Sequence, residues 1–118
     1  MYEAAYNQYQ EKNYLKAQKI WSDFIDTYPE HKLVPNANFW QGESFFQLED
    51  YPRAVLSYQE VIENHSSSNK YPQALLKQGI AFYKLKKKKA GRLLLEDLIR
   101  KYPESDESER ARQFLDNN

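Results

Sequence analysis

The sequence predicts an all-α fold in which pairs of helices stack into a solenoid. Only 3 glycines and 5 prolines stand among the 118 residues, so few residues would interrupt helices. Apolar residues recur at helical spacing, as at Val55, Tyr58, Val61 and Ile62. The pattern also repeats every 37 residues, and periods of this length are typical of stacked helix hairpins.

The repeat is most visible in the tripeptide Tyr-Pro-Glu, which occurs at residues 28–30 and again 74 residues later, at 102–104. The middle copy would end near residue 65, where His65-Ser66 replaces Tyr-Pro. Many other positions keep their character from copy to copy, namely Ala5, Gly42 and Gly79; Ala17, Ala54 and Gly91; Ala37, Ala74 and Ala111; Tyr9, Phe46 and Tyr83; Trp21, Tyr58 and Leu95; Ile25, Ile62 and Ile99. We therefore interpret the chain as three copies of one unit.

Each unit reads as two helices joined by a short polar turn. We predict helices at about 2–11, 15–28, 35–48, 52–64, 71–85, 89–101 and 107–116. Pro35 and Pro72 suit the first turn of the third and fifth helices, where a missing N–H has no helical acceptor. Small residues such as Gly42 and Ala54 would let the two helices of a hairpin approach closely, with large neighbours filling the remaining space.

The seventh helix has no partner after it and would close the stack. Ser105 or Asp106 is the expected N-cap, and Asp106 and Glu109 have the spacing of a capping box. The chain is then one domain, with hairpins at about 1–34, 35–71 and 72–105 and a C-terminal capping helix at about 106–116.

Composition argues against several classes of function. The 17 basic and 17 acidic residues balance, whereas a nucleic-acid binder usually carries a basic excess. There is no cysteine, and His31 and His65 have no further ligands at zinc spacing. No nucleophile motif, phosphate loop or converging carboxylate pair stands out. We expect a protein that is not an enzyme and holds no cofactor or metal.

The spacing of small, bulky and proline residues resembles the tetratricopeptide repeat. Gly42, Phe45, Ala54, Tyr58 and Val61 lie on its pattern in the second copy, and Gly91 stands where alanine is usual in the third. The resemblance implies a right-handed superhelix of three helix hairpins plus the capping helix. The longer period, with the segments "VPNANFWQGESFF" and "ALLKQG" and the two Tyr-Pro endings, is similar to the C-terminal repeat domain of the Tol–Pal system protein family YbgF/CpoB.

That second resemblance implies a non-catalytic adaptor of the bacterial periplasm. Members of the family bind the envelope protein TolA and coordinate peptidoglycan synthesis with envelope constriction in cell division. Their secretion signal and N-terminal coiled coil are missing from this sequence, which is expected of an excised domain whose parent forms homo-oligomers. No apolar run approaches the length of a membrane span, so we expect no membrane insertion. An outer-membrane assembly factor resembling BamD, or a cytosolic repeat adaptor, is the alternative within this class.

The first helix of each hairpin would line the inner, concave face and form a groove for a partner segment. Neighbouring residues on a helix diverge by about 100°, so we expect Phe45 and Phe82 to pack inward and their neighbours Phe46 and Tyr83 to face the groove. The predicted groove residues are Tyr2, Tyr6, Tyr9, Asn36, Phe39, Glu43, Phe46, Gln47, Gln73, Leu76, Ile80, Tyr83, Lys84 and Arg110.

A basic run between Lys84 and Arg92 offers an alternative of another class, a site for nucleic acid or another acidic ligand. The competing interpretation is a solvated turn, since Asn13 and Asp50 occupy the matching turns of the other hairpins. Repeats that grip a chaperone's terminal carboxylate use Lys and Asn in their first helices. Of the matching positions here only Lys77 fits, so this type of receptor is not expected.

Overall fold

The computed structural model describes residues 1–118 and contains seven α-helices and no β-strand. Each helix end lies within one residue of the position predicted from the sequence, so the all-α prediction is confirmed. The helices are α1 (Tyr2–Gln10), α2 (Tyr14–Thr27), α3 (Val34–Gln47), α4 (Tyr51–Asn64), α5 (Tyr71–Lys84), α6 (Lys88–Lys101) and α7 (Asp106–Asn117).

The helices pack in chain order as a superhelical stack. Three antiparallel hairpins, α1–α2, α3–α4 and α5–α6, are joined through α2 against α3 and α4 against α5. Helix α7 packs on α6 and α5 and covers the end of the stack. The inner layer therefore consists of α1, α3, α5 and α7, and the outer layer of α2, α4 and α6.

The three hairpin turns have one geometry. Lys12, Glu49 and Lys86 each have a positive φ, between 60° and 65°, and lie 37 residues apart. In each turn the next residue donates its backbone N–H to a carbonyl five residues earlier, at 2.8–2.9 Å. This is the left-handed helix ending that usually carries glycine. The three turns therefore adopt this conformation without a glycine at the left-handed position.

Small residues face large ones inside each hairpin, as predicted. Trp21, Tyr58 and Leu95 occupy the same register position and are fully buried. A Cβ on Gly42 would lie 2.6 Å from the Tyr58 ring, and one on Gly79 would lie 2.7 Å from Leu95. These two glycines are required because the outer helix places a large side chain directly against the inner helix backbone.

Glutamines join neighbouring hairpins. Gln41 donates from Nε2 to the Gln18 carbonyl at 3.4 Å, and Gln78, one repeat later, donates to the Val55 carbonyl at 3.0 Å. Buried Gln78 also donates to the side chain of Gln59 at 2.8 Å. The same bond in successive repeats fixes how far each hairpin rotates on the one before it.

Helix α7 begins at one of the two predicted N-caps, with the Ser105 side chain accepting the Ser108 backbone N–H at 3.0 Å. The expected capping box of Asp106 and Glu109 is wrong, because Ser105 and not Asp106 is the N-cap. Ala111 is buried in the core of the third hairpin, and Phe114 and Leu115 pack against that core. The capping helix thus supplies the apolar cover that a further hairpin would otherwise give. None of the seven helices combines the length and the apolar character needed to cross a membrane.

Candidate protein-binding face

Aromatic side chains occupy the N-terminal part of the inner face. Tyr2, Tyr6 and Tyr9 lie on one side of α1 and are half-buried. The rings of Tyr6 and Tyr9 both meet Trp40 of α3 edge-on, with centroids 5.2 Å apart. Trp40 is itself only half-buried, so its remaining surface faces the solvent. The result is a rigid aromatic patch, held together by side chains from two repeats.

A charged pair lies beside this patch at the centre of the face. Lys77 Nζ of α5 is 3.7 Å from Glu43 Oε1 of α3, and the two side chains are only 15% and 13% exposed. The Tyr58 hydroxyl donates a hydrogen bond to the same carboxylate oxygen, and Lys77 Nζ lies 4.0 Å from the centre of the Phe46 ring. A polar pair surrounded by rings gives the face a few fixed contacts within an apolar surface.

Burial raises the pKa of three tyrosines in this region. Burial, together with the negative charge of Glu43, raises the pKa of Tyr58 well above its usual value, and the same two causes raise the pKa of Tyr9. Burial also raises the pKa of Tyr2, an effect partly offset by the polar groups of Asn36 and Trp40. Tyr2 and Tyr9 are half-buried, so their hydroxyls can donate to a partner, whereas the Tyr58 hydroxyl is buried and already donates to Glu43.

Lys70 stands at the next loop and covers the other side of the aromatic patch. Its Nζ lies 5.2 Å from the centre of the Phe39 ring and 5.1 Å from that of Trp40. Burial lowers the pKa of this lysine, while the charges of Glu43 and Glu107 act in the opposite direction. A cation stacked on two rings closes this side of the patch.

One contact recurs along the whole inner face. Tyr9 meets Trp40 at 5.2 Å, Phe46 meets Lys77 at 4.0 Å, and Tyr83 meets Phe114 at 4.9 Å. In each case the partners are 31 residues apart, so the pairs are equivalent in the repeat. Equivalent contacts thus join the inner helices in sequence from α1 to the capping helix, and the last of them is buried.

Among the predicted groove residues, Tyr9 contacts Trp40, and Glu43 and Phe46 are joined through Lys77. The full set of groove residues stays a prediction. Eight are half-buried, with part of the side chain accessible: Tyr2, Tyr6, Tyr9, Asn36, Glu43, Phe46, Gln73 and Ile80. Gln47, Lys84 and Arg110 are exposed.

Three predicted groove residues are buried, and their expected exposure is wrong. Phe39 packs against Tyr58 with Lys70 above it, which removes it from the surface. Leu76 belongs to the core of the third hairpin. Tyr83 is covered by Phe114 of the capping helix.

The expected assignment of Phe82 and Tyr83 is also wrong in the third repeat, where Tyr83 is buried and Phe82 is only half-buried. The reason is Gly91, because a Cβ there would lie 2.6 Å from Cδ1 of Tyr83. Because Gly91 has no Cβ, there is room for the Tyr83 ring. In the second repeat Ala54 fills that position, Phe45 is buried and Phe46 remains half-buried, as predicted.

The predicted groove set omits Trp40, Lys70 and Lys77, although the sequence places Lys77 in a first helix. Trp40 lies four residues after Asn36 and three before Glu43, so helical spacing alone could have placed it on the same face. Lys77 occupies the equivalent position one repeat later. Lys70 lies in a loop, and no periodic signal points to it.

The arrangement is suited to binding and contains no recognisable catalytic constellation. No three His, Cys, Asp or Glu side chains are grouped so that they could hold a metal ion. The two histidines lie far apart in the sequence, at the ends of successive repeats, and His31 is engaged with its own turn, accepting the Leu33 N–H at 3.0 Å.

Comparison with known families finds two matches to models described as tetratricopeptide repeat. One covers residues 2–69, which is more than half of the chain, and the other covers residues 73–105. Comparison with curated proteins finds no match.

Proposed function

The chain belongs to the tetratricopeptide-repeat family, and we propose that it is a non-catalytic scaffold that binds a segment of a partner protein on its inner face. Repeats of this family generally mediate protein–protein interaction. The observation that carries the proposal is the aromatic patch of Tyr6, Tyr9 and Trp40, whose rings are fixed against one another yet keep accessible surface.

Fixed aromatic rings suit recognition for two reasons. They offer a large contact area and lose little conformational freedom when a partner binds, because neighbouring rings already hold them. Tyrosine and tryptophan also dominate the few residues that contribute most to binding at protein interfaces. The partner we expect is a helix or extended segment that places apolar side chains on the patch and a polar group near Glu43 and Lys77.

At a finer level, we propose that the partner is a TolA-like envelope protein and that the chain works in the bacterial periplasm. Its role there would be to link the Tol–Pal system, and with it envelope constriction and peptidoglycan synthesis, to cell division. The support is the sequence similarity of "VPNANFWQGESFF" and "ALLKQG" to the YbgF/CpoB repeat domain. In a longer parent protein, an N-terminal coiled coil would join several such domains.

Calorimetric titration with a TolA-like protein tests both levels. The double variant Tyr6→Ala/Trp40→Ala should weaken binding by roughly thirtyfold or more, since two central aromatic contacts are lost. Tyr28→Ala removes an exposed aromatic ring that the first hairpin carries outside the patch, and should leave the affinity unchanged.

The outcomes separate the two levels of the proposal. Unchanged affinity in the double variant, with an unchanged helical signal, contradicts the inner-face site. If the wild-type chain does not bind the TolA-like protein, the Tol–Pal assignment fails. The inner face can then be tested with partners captured from a peptide library, using the same pair of variants.

A further inference from the structure

The zero net charge of the chain hides a strong separation of charge between two edges of the stack. We define the turn edge as residues 8–19, 45–56 and 82–93, which form the three hairpin turns and the helix ends that flank them. Because the hairpins stack in one orientation, these turns lie along the same side. The turn edge holds ten of the 17 basic residues, namely Lys12, Lys16, Lys19, Arg53, Lys84, Lys86, Lys87, Lys88, Lys89 and Arg92, and only Glu11, Glu49 and Asp50 among the acids.

The opposite edge is acidic. Residues 20–33, 57–70 and 94–107 contain ten acidic and four basic side chains. The two edges therefore carry formal charges of +7 and −6. Charge separation on this scale gives the protein a preferred orientation near any charged surface.

The basic residues of the turn edge are not used by the fold. Only Arg53 forms an ion pair, with Asp50 at 3.4 Å, and the other nine are exposed. Lys87 is the N-cap of α6 and makes no side-chain capping bond, and Lys88 and Lys89 follow in the first turn. Positive charge at the positive end of a helix dipole is unfavourable, so this run opposes the stability of its own helix. Such conflicts are expected where a ligand requires the residues.

All four exposed leucines of the chain lie on the same edge. Leu15, Leu48, Leu56 and Leu93 are between 40% and 69% exposed. Leu56 and Leu93 are one repeat apart, so they project in the same direction from neighbouring outer helices. Exposed leucines scattered singly need no explanation, but three of these lie among basic side chains. Leu15 and Leu48 line one shallow cleft with lysines of the first turn, and Leu93 lines another with Lys88, Lys89 and Arg92.

We propose that the turn edge docks on the surface of a bilayer rich in anionic phospholipids. Lysine and arginine side chains would contact the lipid phosphates, and the leucines would enter the boundary between headgroups and acyl chains, as in other peripheral membrane proteins. Nucleic acid would use the lysines but not the exposed leucines, so the combination favours lipid. This inference is tested independently of the inner-face proposal, because the lysines and leucines substituted below do not belong to the aromatic patch.

Vesicle flotation tests the proposal. The wild-type protein should float with vesicles that contain roughly one third phosphatidylglycerol in phosphatidylcholine, should not float with phosphatidylcholine alone, and should detach as salt rises. Lys87→Gln/Lys88→Gln/Lys89→Gln should lower the partition coefficient by roughly a hundredfold, as three cations near the surface are lost. The matched control is Lys32→Gln/Arg100→Gln/Lys101→Gln on the acidic edge, which should bind like the wild type.

A leucine variant distinguishes lipid from other polyanions. Leu56→Ser/Leu93→Ser should reduce vesicle binding by roughly tenfold or more while leaving the weak attraction to a single-stranded DNA oligomer unchanged. Full vesicle binding by this variant overturns the proposal, as does wild-type binding to the oligomer that is as tight as to vesicles. Circular dichroism should show the wild-type helical signal in all three variants, because every substituted residue is exposed.

Discussion

Replacement of Gly91 by alanine tests the close packing of α6 against α5. The new Cβ would lie 2.6 Å from the backbone oxygen of Gly79 and 2.6 Å from Cδ1 of Tyr83. Neither neighbour can yield easily. The oxygen belongs to the backbone of α5, and the Tyr83 ring is held against Phe114 of the capping helix.

The expected loss of stability follows from two opposing terms. Alanine is favoured over glycine within a helix by about 1 kcal/mol. Overpacking in a well-packed core costs about 1–3 kcal/mol, and a disturbed aromatic pair of the Tyr83–Phe114 type adds about 1 kcal/mol. We expect a net loss of roughly 2 kcal/mol, which corresponds to a melting temperature lower by about 8 °C in a domain of this size.

Thermal and urea unfolding followed by circular dichroism would measure this loss. The control is Arg92→Ala, one residue further along α6, where an exposed side chain should change the stability by less than about 0.5 kcal/mol. If Gly91→Ala is as stable as the wild type, or more stable, the close approach of α5 and α6 is wrong, and with it the explanation for the burial of Tyr83.

Two further predictions concern the turns and the tyrosines. Lys86→Gly should stabilise the protein by roughly 0.5–1 kcal/mol, because Lys86 has a φ of 64° that glycine adopts without strain. Lys84→Gly removes the same charge within α5 and should destabilise it by about 1 kcal/mol, so equal effects of the two changes would refute the turn argument. The pKa of Tyr58 is raised in the folded protein, so its stabilising contribution is complete below about pH 10. Above that pH the tyrosine of the unfolded chain ionises first, and the free energy of unfolding declines by up to about 1.4 kcal/mol per pH unit. Alkaline urea titrations should show a shallower decline in Tyr58→Phe, and an identical decline would contradict the assignment.

The sequence predicts the fold well because the same pattern of residues recurs in each copy of the repeat and each copy can be recognised from nearby residues. Ala5, Gly42 and Gly79 recur opposite large residues of the outer helices, and each copy supports the interpretation of the others. Helix ends follow from prolines and polar turns, which act over a few residues. For this reason every helix could be placed from the sequence alone.

The inner face is predicted less well because its exposure depends on contacts between repeats. Tyr83 is equivalent to Tyr9 and Phe46, yet it alone is buried, because Gly91 makes room for its ring and Phe114 covers it. The spacing of residues within one helix does not predict such contacts, because they join residues that are 31 positions apart and lie in different helices. The ion pair of Glu43 and Lys77 likewise appears only when two repeats are stacked.

The two tryptophans provide the most direct test of the inner-face site. Trp21 is fully buried behind α1, while Trp40 is half-buried in the aromatic patch, so their indole N–H signals report from the core and from the proposed site. In a titration of ¹⁵N-labelled protein with its partner segment, we expect the Trp40 indole signal to shift and the Trp21 signal to stay in place. A bound complex that leaves the Trp40 signal unmoved, with shifts confined to α2, α4 and α6, would contradict binding on the inner face.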